Sequence, residues 1–131
     1  MDGVVAESEP KMTSYSISRP KPDVIRVAFP NGWDATAESK AMFRDVLSEL
    51  DDSDVNMTVM VVAGSARPEY APDALSFARG VLTHDRLKKM VVVADDAQLA
   101  VNHMGVTRGE RGLAPIPMLA FDSEAEALAS L

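Results

Sequence analysis

Ser65, His84 or His103, and Asp95 carry the side chains from which a nucleophile, a base and an orienting acid could be assembled. Acyl-transfer chemistry needs those three roles in mutual contact, with the nucleophile exposed on a tight turn. The string Val62-Ala63-Gly64-Ser65-Ala66-Arg67 is not the Gly-x-Ser-x-Gly elbow that builds such a turn. His84 is expected to end a helix, where a positive ring suits the negative pole, and His103 lies on a later helix. Neither histidine stands at His-x-x-x-His or a comparable zinc spacing. No catalytic residue, metal site or cofactor is therefore assigned, and the chain is read as a non-enzyme. Thr107-Arg108-Gly109-Glu110-Arg111-Gly112 offers two guanidiniums and close backbone approach, the ingredients of a weak anion loop through Arg108 and Arg111. It lacks the Walker lysine arrangement and the dinucleotide fingerprint, so a solvated loop is the expected structure.

Strands and helices in alternation must position these groups. Residues 1–13 are acidic and turn-rich and predict a mobile tail ahead of one domain over 14–131. Tyr15 and Ile17 alternate with serines, Arg19 to Asp23 predicts a turn, and Val24 to Phe29 returns as the second strand of a hairpin. Thr36 as N-cap opens a helix with Phe43, Val46, Leu47 and Leu50 on one face. The acidic run 51–54 is placed beyond its last turn, because carboxylates are unfavourable at that pole. Residues 58–63 and 90–94 are short apolar runs, as in adjacent parallel strands covered on both faces. Between them Pro72 opens a second helix, lined by Ala74, Phe77, Ala78, Val81 and Leu82. Asp95 or Asp96 caps a third, which stops at Gly105 before an irregular loop over 107–115. Residues 116–121 form a last strand, put at an edge by Pro117, and Ser123-x-x-Glu126 is a capping box for a final helix. The order predicts an α/β fold: a β-hairpin, then alternating helices and strands, in a mainly parallel sheet packed by about four helices.

Such sheets hold ligands beyond the carboxyl ends of their strands. Trp33, Gly64, Ser65, Arg67, Tyr70 and Asp95 should converge there, with Asp73 at the start of the second helix. Trp33 and Tyr70 would offer apolar contact, Arg67 an anion contact, and Ser65 a hydrogen bond or modification site. A purely structural reading is preferred, with Trp33 under a loop, Gly64 turning the chain and the aspartates capping a helix. A phosphoacceptor receiver would need an aspartate after the middle strand, where Gly64-Ser65 stands.

The element order resembles the SpoIIAA-like group of the STAS superfamily, also described as STAS/CRAL-TRIO-like. The local strings that carry the resemblance are Asp73 to Arg79, then His84 to Asp95 with its basic turn before an apolar strand. The ending Met118 to Asp122, followed by Glu124 to Leu131, is similar as well. The resemblance covers residues 14–131 and implies a fold and a regulatory role through a protein partner. The best-known STAS proteins are switched by phosphorylation of a serine in a turn before the second helix. The corresponding turn here, Glu69-Tyr70-Ala71-Pro72-Asp73, has no serine, so this chain is expected not to be switched there. Asp73 would supply a fixed charge instead.

Composition narrows the partners. The net charge of −7 and pI near 4.7 disfavour nucleic acid and anionic membrane surfaces. There is no cysteine, hence no disulfide or thiolate chemistry. No apolar run reaches the roughly 20 residues of a membrane span, and a cytoplasmic setting is expected. The leading reading is a non-catalytic regulatory or protein-interaction domain. A small-molecule (lipid or nucleotide) binding domain is the alternative, with an enzyme third.

Overall fold

The computed structural model describes residues 15–30, 35–64 and 74–131. The expected tail over 1–13 lies outside them, as does Pro72. In chain order the elements are β1 (Ser16–Lys21), β2 (Val24–Ala28), α1 (Ala35–Asp51), β3 (Met57–Gly64), α2 (Ala74–Leu82), β4 (Leu87–Ala94), α3 (Ala97–Glu110), β5 (Met118–Phe121) and α4 (Glu124–Ala129). The strands form one mixed sheet in the order β1-β2-β3-β4-β5. The β1–β2 hairpin is antiparallel and every other pair is parallel. This is the α/β class expected, with β3 and β4 adjacent and parallel at its centre.

Side-chain alternation divides the core in two. Ile25, Val27, Val59, Met90 and Val92 point to the face packed by Met42, Val46 and Leu50 of α1, Val81 of α2, and Ala97 and Val101 of α3. Val24, Met60, Val91 and Val93 point to the other face, against Ala127 of α4. Each strand of the central pair is thus covered on both sides, which is why it reads as a run and not as an alternation. Helices α1 and α2 meet closely at Gly80. A Cβ built there would lie 3.2 Å from a Leu47 methyl, tighter than ordinary van der Waals contact.

Several boundaries differ from the sequence reading, each for a physical reason. The strand β1 continues through Arg19 and Pro20 to Lys21, leaving Pro22 and Asp23 as the turn. Pro20 is tolerated because β1 stands at the edge of the sheet among the described residues and the register slips there, with Ser18 opposite Arg26 and Lys21 opposite Val24. Thr36 lies inside the first turn of α1 and not before it. At the other end Asp51 is still helical, and its carboxylate accepts from His84 Nε2 at 2.7 Å. The supposed basic turn before β4 is partly strand, since Leu87, Lys88 and Lys89 belong to it. The last strand is shorter than 116–121 and starts at Met118.

The largest difference is in α3, which does not stop at Gly105 but runs to Glu110. Its stop signal is Gly112, at φ 71°, in the left-handed region that glycine enters freely. Gly112 N–H donates to Gly109 O (3.0 Å) and Leu113 N–H to Arg108 O (3.2 Å), the paired closing bonds of a Schellman motif. A glycine inside a helix costs only about 1 kcal/mol, so Gly105 alone could not end it.

Helix α4 is six residues long and stays in place through contacts at both ends. Ser123 accepts from Glu126 N–H at 3.2 Å, as the capping box requires. Arg26 on β2 grips Glu124 through Nη2–Oε1 (2.9 Å) and Nε–Oε2 (2.5 Å). Past the helix, Lys21 Nζ donates to Leu131 O at 2.9 Å. The hydrogen bond from Arg26 holds the Glu124 carboxyl below its usual range. A depressed folded value contributes stability above the unfolded value near 4.5, and that stability is lost as pH falls through the folded value. Glu124→Gln is therefore expected to lower the unfolding free energy at neutral pH by up to about 1 kcal/mol, the pair being partly exposed. In urea titrations at a series of pH values the gap to the parent should close below pH 4.5; a gap unchanged there would show that the charge is not what anchors α4.

Candidate functional site

At the carboxyl edge of the sheet, Gly64 ends β3 in register with Ala94, and Asp95 follows β4. These two proposed edge residues are neighbours. Trp33, Ser65, Arg67, Tyr70 and Asp73 lie outside the described residues. Asp96 holds the N-cap position of α3 without a side-chain cap bond.

The nominated acid–base groups are not together. His84 sits in the turn after α2, where its Nδ1 accepts from Arg86 N–H at 3.0 Å. Its Nε2 is then the protonated nitrogen and donates to Asp51. Both ring nitrogens are occupied, so neither is available to take a nucleophile's proton. The eight-residue strand β4, about 26 Å at 3.3 Å per residue, separates His84 from Asp95. His103 is exposed on α3. Among the described residues no group of His, Cys, Asp and Glu is arranged to hold a metal ion. Nor is any helix there long and apolar enough to cross a membrane.

Arg108 is not in a loop but in the last turn of α3, and it is buried at 8% exposure. Its Nη1 donates to Leu82 O (2.8 Å) at the C-terminus of α2, and Nη2 to Ala114 O (2.7 Å). The negative pole of α2 thus receives a full positive charge, and the segment after α3 is tied back to the body. This guanidinium is committed to backbone carbonyls, which corrects the anion-loop expectation for it. Arg111 lies beside it, exposed, at the C-cap.

What the fold does build is a trough between α3 and β5. Its first section, about 390 Å³, is bounded by Asp95, Asp96, Leu99, Ala120 and Asp122. Through Gln98 it joins a middle section of about 470 Å³ containing Asn102, Gly105, Val106, Ile116 and Met118. Gly105, Ile116 and Met118 continue into a third section of about 230 Å³ with Gly109, Leu113 and Pro115. Gln98, Asn102, Gly105 and Gly109 recur at helical spacing, so one stripe of α3 forms the wall. A Cβ added at Gly105 or Gly109 would meet nothing within 4 Å, so the trough is open beside the glycines. Leu99 and Val106 stand seven residues apart on α3, exposed by 70% and 58%. The trough is acidic at one end and apolar at the other.

The chain matches no family model, no curated protein and no solved structure. The trough must speak for itself. Sequence reasoning missed it because it depends on α3 reaching Glu110, and the usable signal was Gly112 as the true helix stop.

Two further polar groups bear on the site by elimination. Tyr15 donates to Asp45 Oδ2 at 2.6 Å, and burial together with that bond pushes its phenol well above the usual value. It is thus held protonated and structural. Ser39, on α1, is fully buried, and among the described residues its hydroxyl has no hydrogen-bond partner. Removing an unsatisfied buried hydroxyl relieves its desolvation, so Ser39→Ala is expected to be neutral or stabilising by about 1 kcal/mol. A loss of more than that in chemical denaturation would mean the hydroxyl is bonded after all. Arg108→Lys is expected to lose about 1–3 kcal/mol, since one ammonium cannot span Leu82 O and Ala114 O. Arg111→Ala should be nearly neutral, and equal effects from the two would refute the distinction drawn between them.

Proposed function

We propose that the chain is a non-catalytic regulatory or protein-interaction domain of STAS type, and that it works by binding a protein partner. The observation that carries this reading is the α3–β5 trough, with Leu99 and Val106 exposed on its helical wall. Large apolar side chains standing in water beside a long open groove mark an interaction surface more readily than a small-ligand site. Two further features support the family part: the hairpin that opens the sheet and the capped helix that closes the chain. Regulation without the usual serine switch also rests on the sequence, in which Asp73 stands in the serine-free turn. The small-molecule alternative calls for an enclosed apolar pocket. The described sections of the trough are open recesses, which favour a macromolecular partner.

Gly105 gives the test. A leucine there has room, and the exchange should raise helix propensity by a few tenths to about 1 kcal/mol while filling the trough. Gly105→Leu is expected to keep or raise the thermal midpoint and to lose the partner that cross-links to the parent protein in its source cell. A partner retained at full strength would move the interaction to another surface. Native mass spectrometry that found a tightly held small molecule and no partner would favour the carrier.

A further inference from the structure

The trough is bounded on one side by a strand whose outer edge carries free backbone groups. Pro117 O accepts from Met90 N–H at 3.0 Å, with Met90 in register with Met118. Alternation along β5 then turns the N–H and C=O of Met118 and Ala120 away from β4. Among the described residues no strand pairs with that edge. The sequence of β5, Met-Leu-Ala-Phe, carries neither charge nor proline within its four residues, which leaves its shortness as the guard of that edge. An edge strand beside a parallel helical wall is the arrangement in which an extended peptide adds to a sheet, with main-chain bonds for affinity and the groove for its side chains.

Charge then selects the peptide. Asp95, Asp96 and Asp122 are exposed around the carboxyl end of the trough, on a chain of net charge −7. The far end is apolar, formed by Leu113, Pro115, Ile116 and Met118 against Gly105 and Gly109. From the proposed interaction role, on which this step rests, we infer that the occupant is an extended segment of a partner protein that pairs with β5 as a sixth strand. Aliphatic side chains, two residues apart, point into the trough from that segment, and a lysine or arginine at one end lies beside the three aspartates. Main-chain pairing supplies the outward groups of Met118 and Ala120 with partners. The basic end sets which way the segment runs.

The experiment selects random short peptides displayed on phage against the immobilised full chain, then maps the recovered peptides by amide shifts of the isotope-labelled protein. Peptides with alternating aliphatic residues and a basic end, shifting the Met118 and Ala120 amides, are the expected result. Ala120→Pro removes an outward N–H without breaking the ladder to β4, and should weaken binding at least about tenfold. Replacing Asp95, Asp96 and Asp122 with asparagine should weaken it by about tenfold at low salt, from three exposed pairs, and less at high salt. That triple variant carries the test should Ala120→Pro lose its cooperative thermal transition. Peptides that bind in the trough but are acidic, or that tolerate both variants, would overturn strand addition while leaving an interaction domain. Peptides indifferent to Gly105→Leu, or no recovered peptide at all, would overturn both.

Discussion

The pairing of β3 with β4 is the constraint on which the rest of the molecule depends. Both strands are apolar on both faces, with Val59, Met60, Met90, Val91 and Val92 buried, so neither face can be left to water. One face has three helices to cover it, α1, α2 and α3. On the other, the described helix is α4, six residues that could not stand alone as a helix in water. The hairpin answers this shortage by providing cations. Arg26 from β2 grips the first turn of α4, and Lys21 from β1 holds the carbonyl of Leu131. An element at the start of the chain therefore fixes the element at its end, and the central pair is sealed between them.

A second tie shapes the trough. Arg108 is a buried cation whose hydrogen bonds go to backbone carbonyls, and the negative pole of α2 serves as its counter-charge. Its other bond, to Ala114 O, sets where the chain leaves α3 and hence how far β5 stands from the helix. That bond lies at the apolar end of the trough, beside Leu113 and Pro115. A groove held in this way would need little rearrangement to take a segment, which would lower the ordering cost that usually limits affinity.

Much of this was legible in the sequence, and the exceptions have identifiable causes. The central strands were plain because a short apolar run between turn signals has few other solutions. The capping box at Ser123 was read correctly, since its bond to Glu126 N–H is local. Gly105 misled because a glycine that costs little inside a helix looks the same in sequence as one that ends it. Gly112 was the better candidate, being followed by Leu113, the residue whose amide closes the motif. Pro20 suggested a turn because an edge position and a slipped register are tertiary facts. Met42 is buried in α1 but fell outside the apolar set first assigned to that helix, although it lies four residues before Val46. Arg108 could not be told from Arg111 at all. Which of two nearby arginines turns inward depends on helix phase, and the phase was lost when the helix was ended early. Trp33, Gly64, Ser65, Arg67, Tyr70 and Asp95 followed from a general rule about strand ends, and Asp73 from the start of the second helix. Gly64 and Asp95 take neighbouring places there, while that rule carries no information about the edge beside β5.

The distribution of charge gives the trough a direction. Around the hairpin the cations have partners: Arg19 with Glu49 at 2.8 Å, Arg26 with Glu124, and Lys88 with Asp23 at 2.7 Å. The hydrogen bond from Lys88 lowers the Asp23 carboxyl, as expected of such a pair. Asp95, Asp96 and Asp122 gather instead at the carboxyl end of the trough, near the positive pole of α3. Carboxylates are tolerated at that pole, so the cluster carries little cost to the fold. Its field extends about 10 Å into solvent at moderate salt, beyond the reach of any hydrogen bond. A basic segment would thus be drawn to the acidic end before its apolar residues meet the far end, and the outward amides of β5 would pair last. Long-range charge would govern the encounter and short-range pairing the lifetime of the complex.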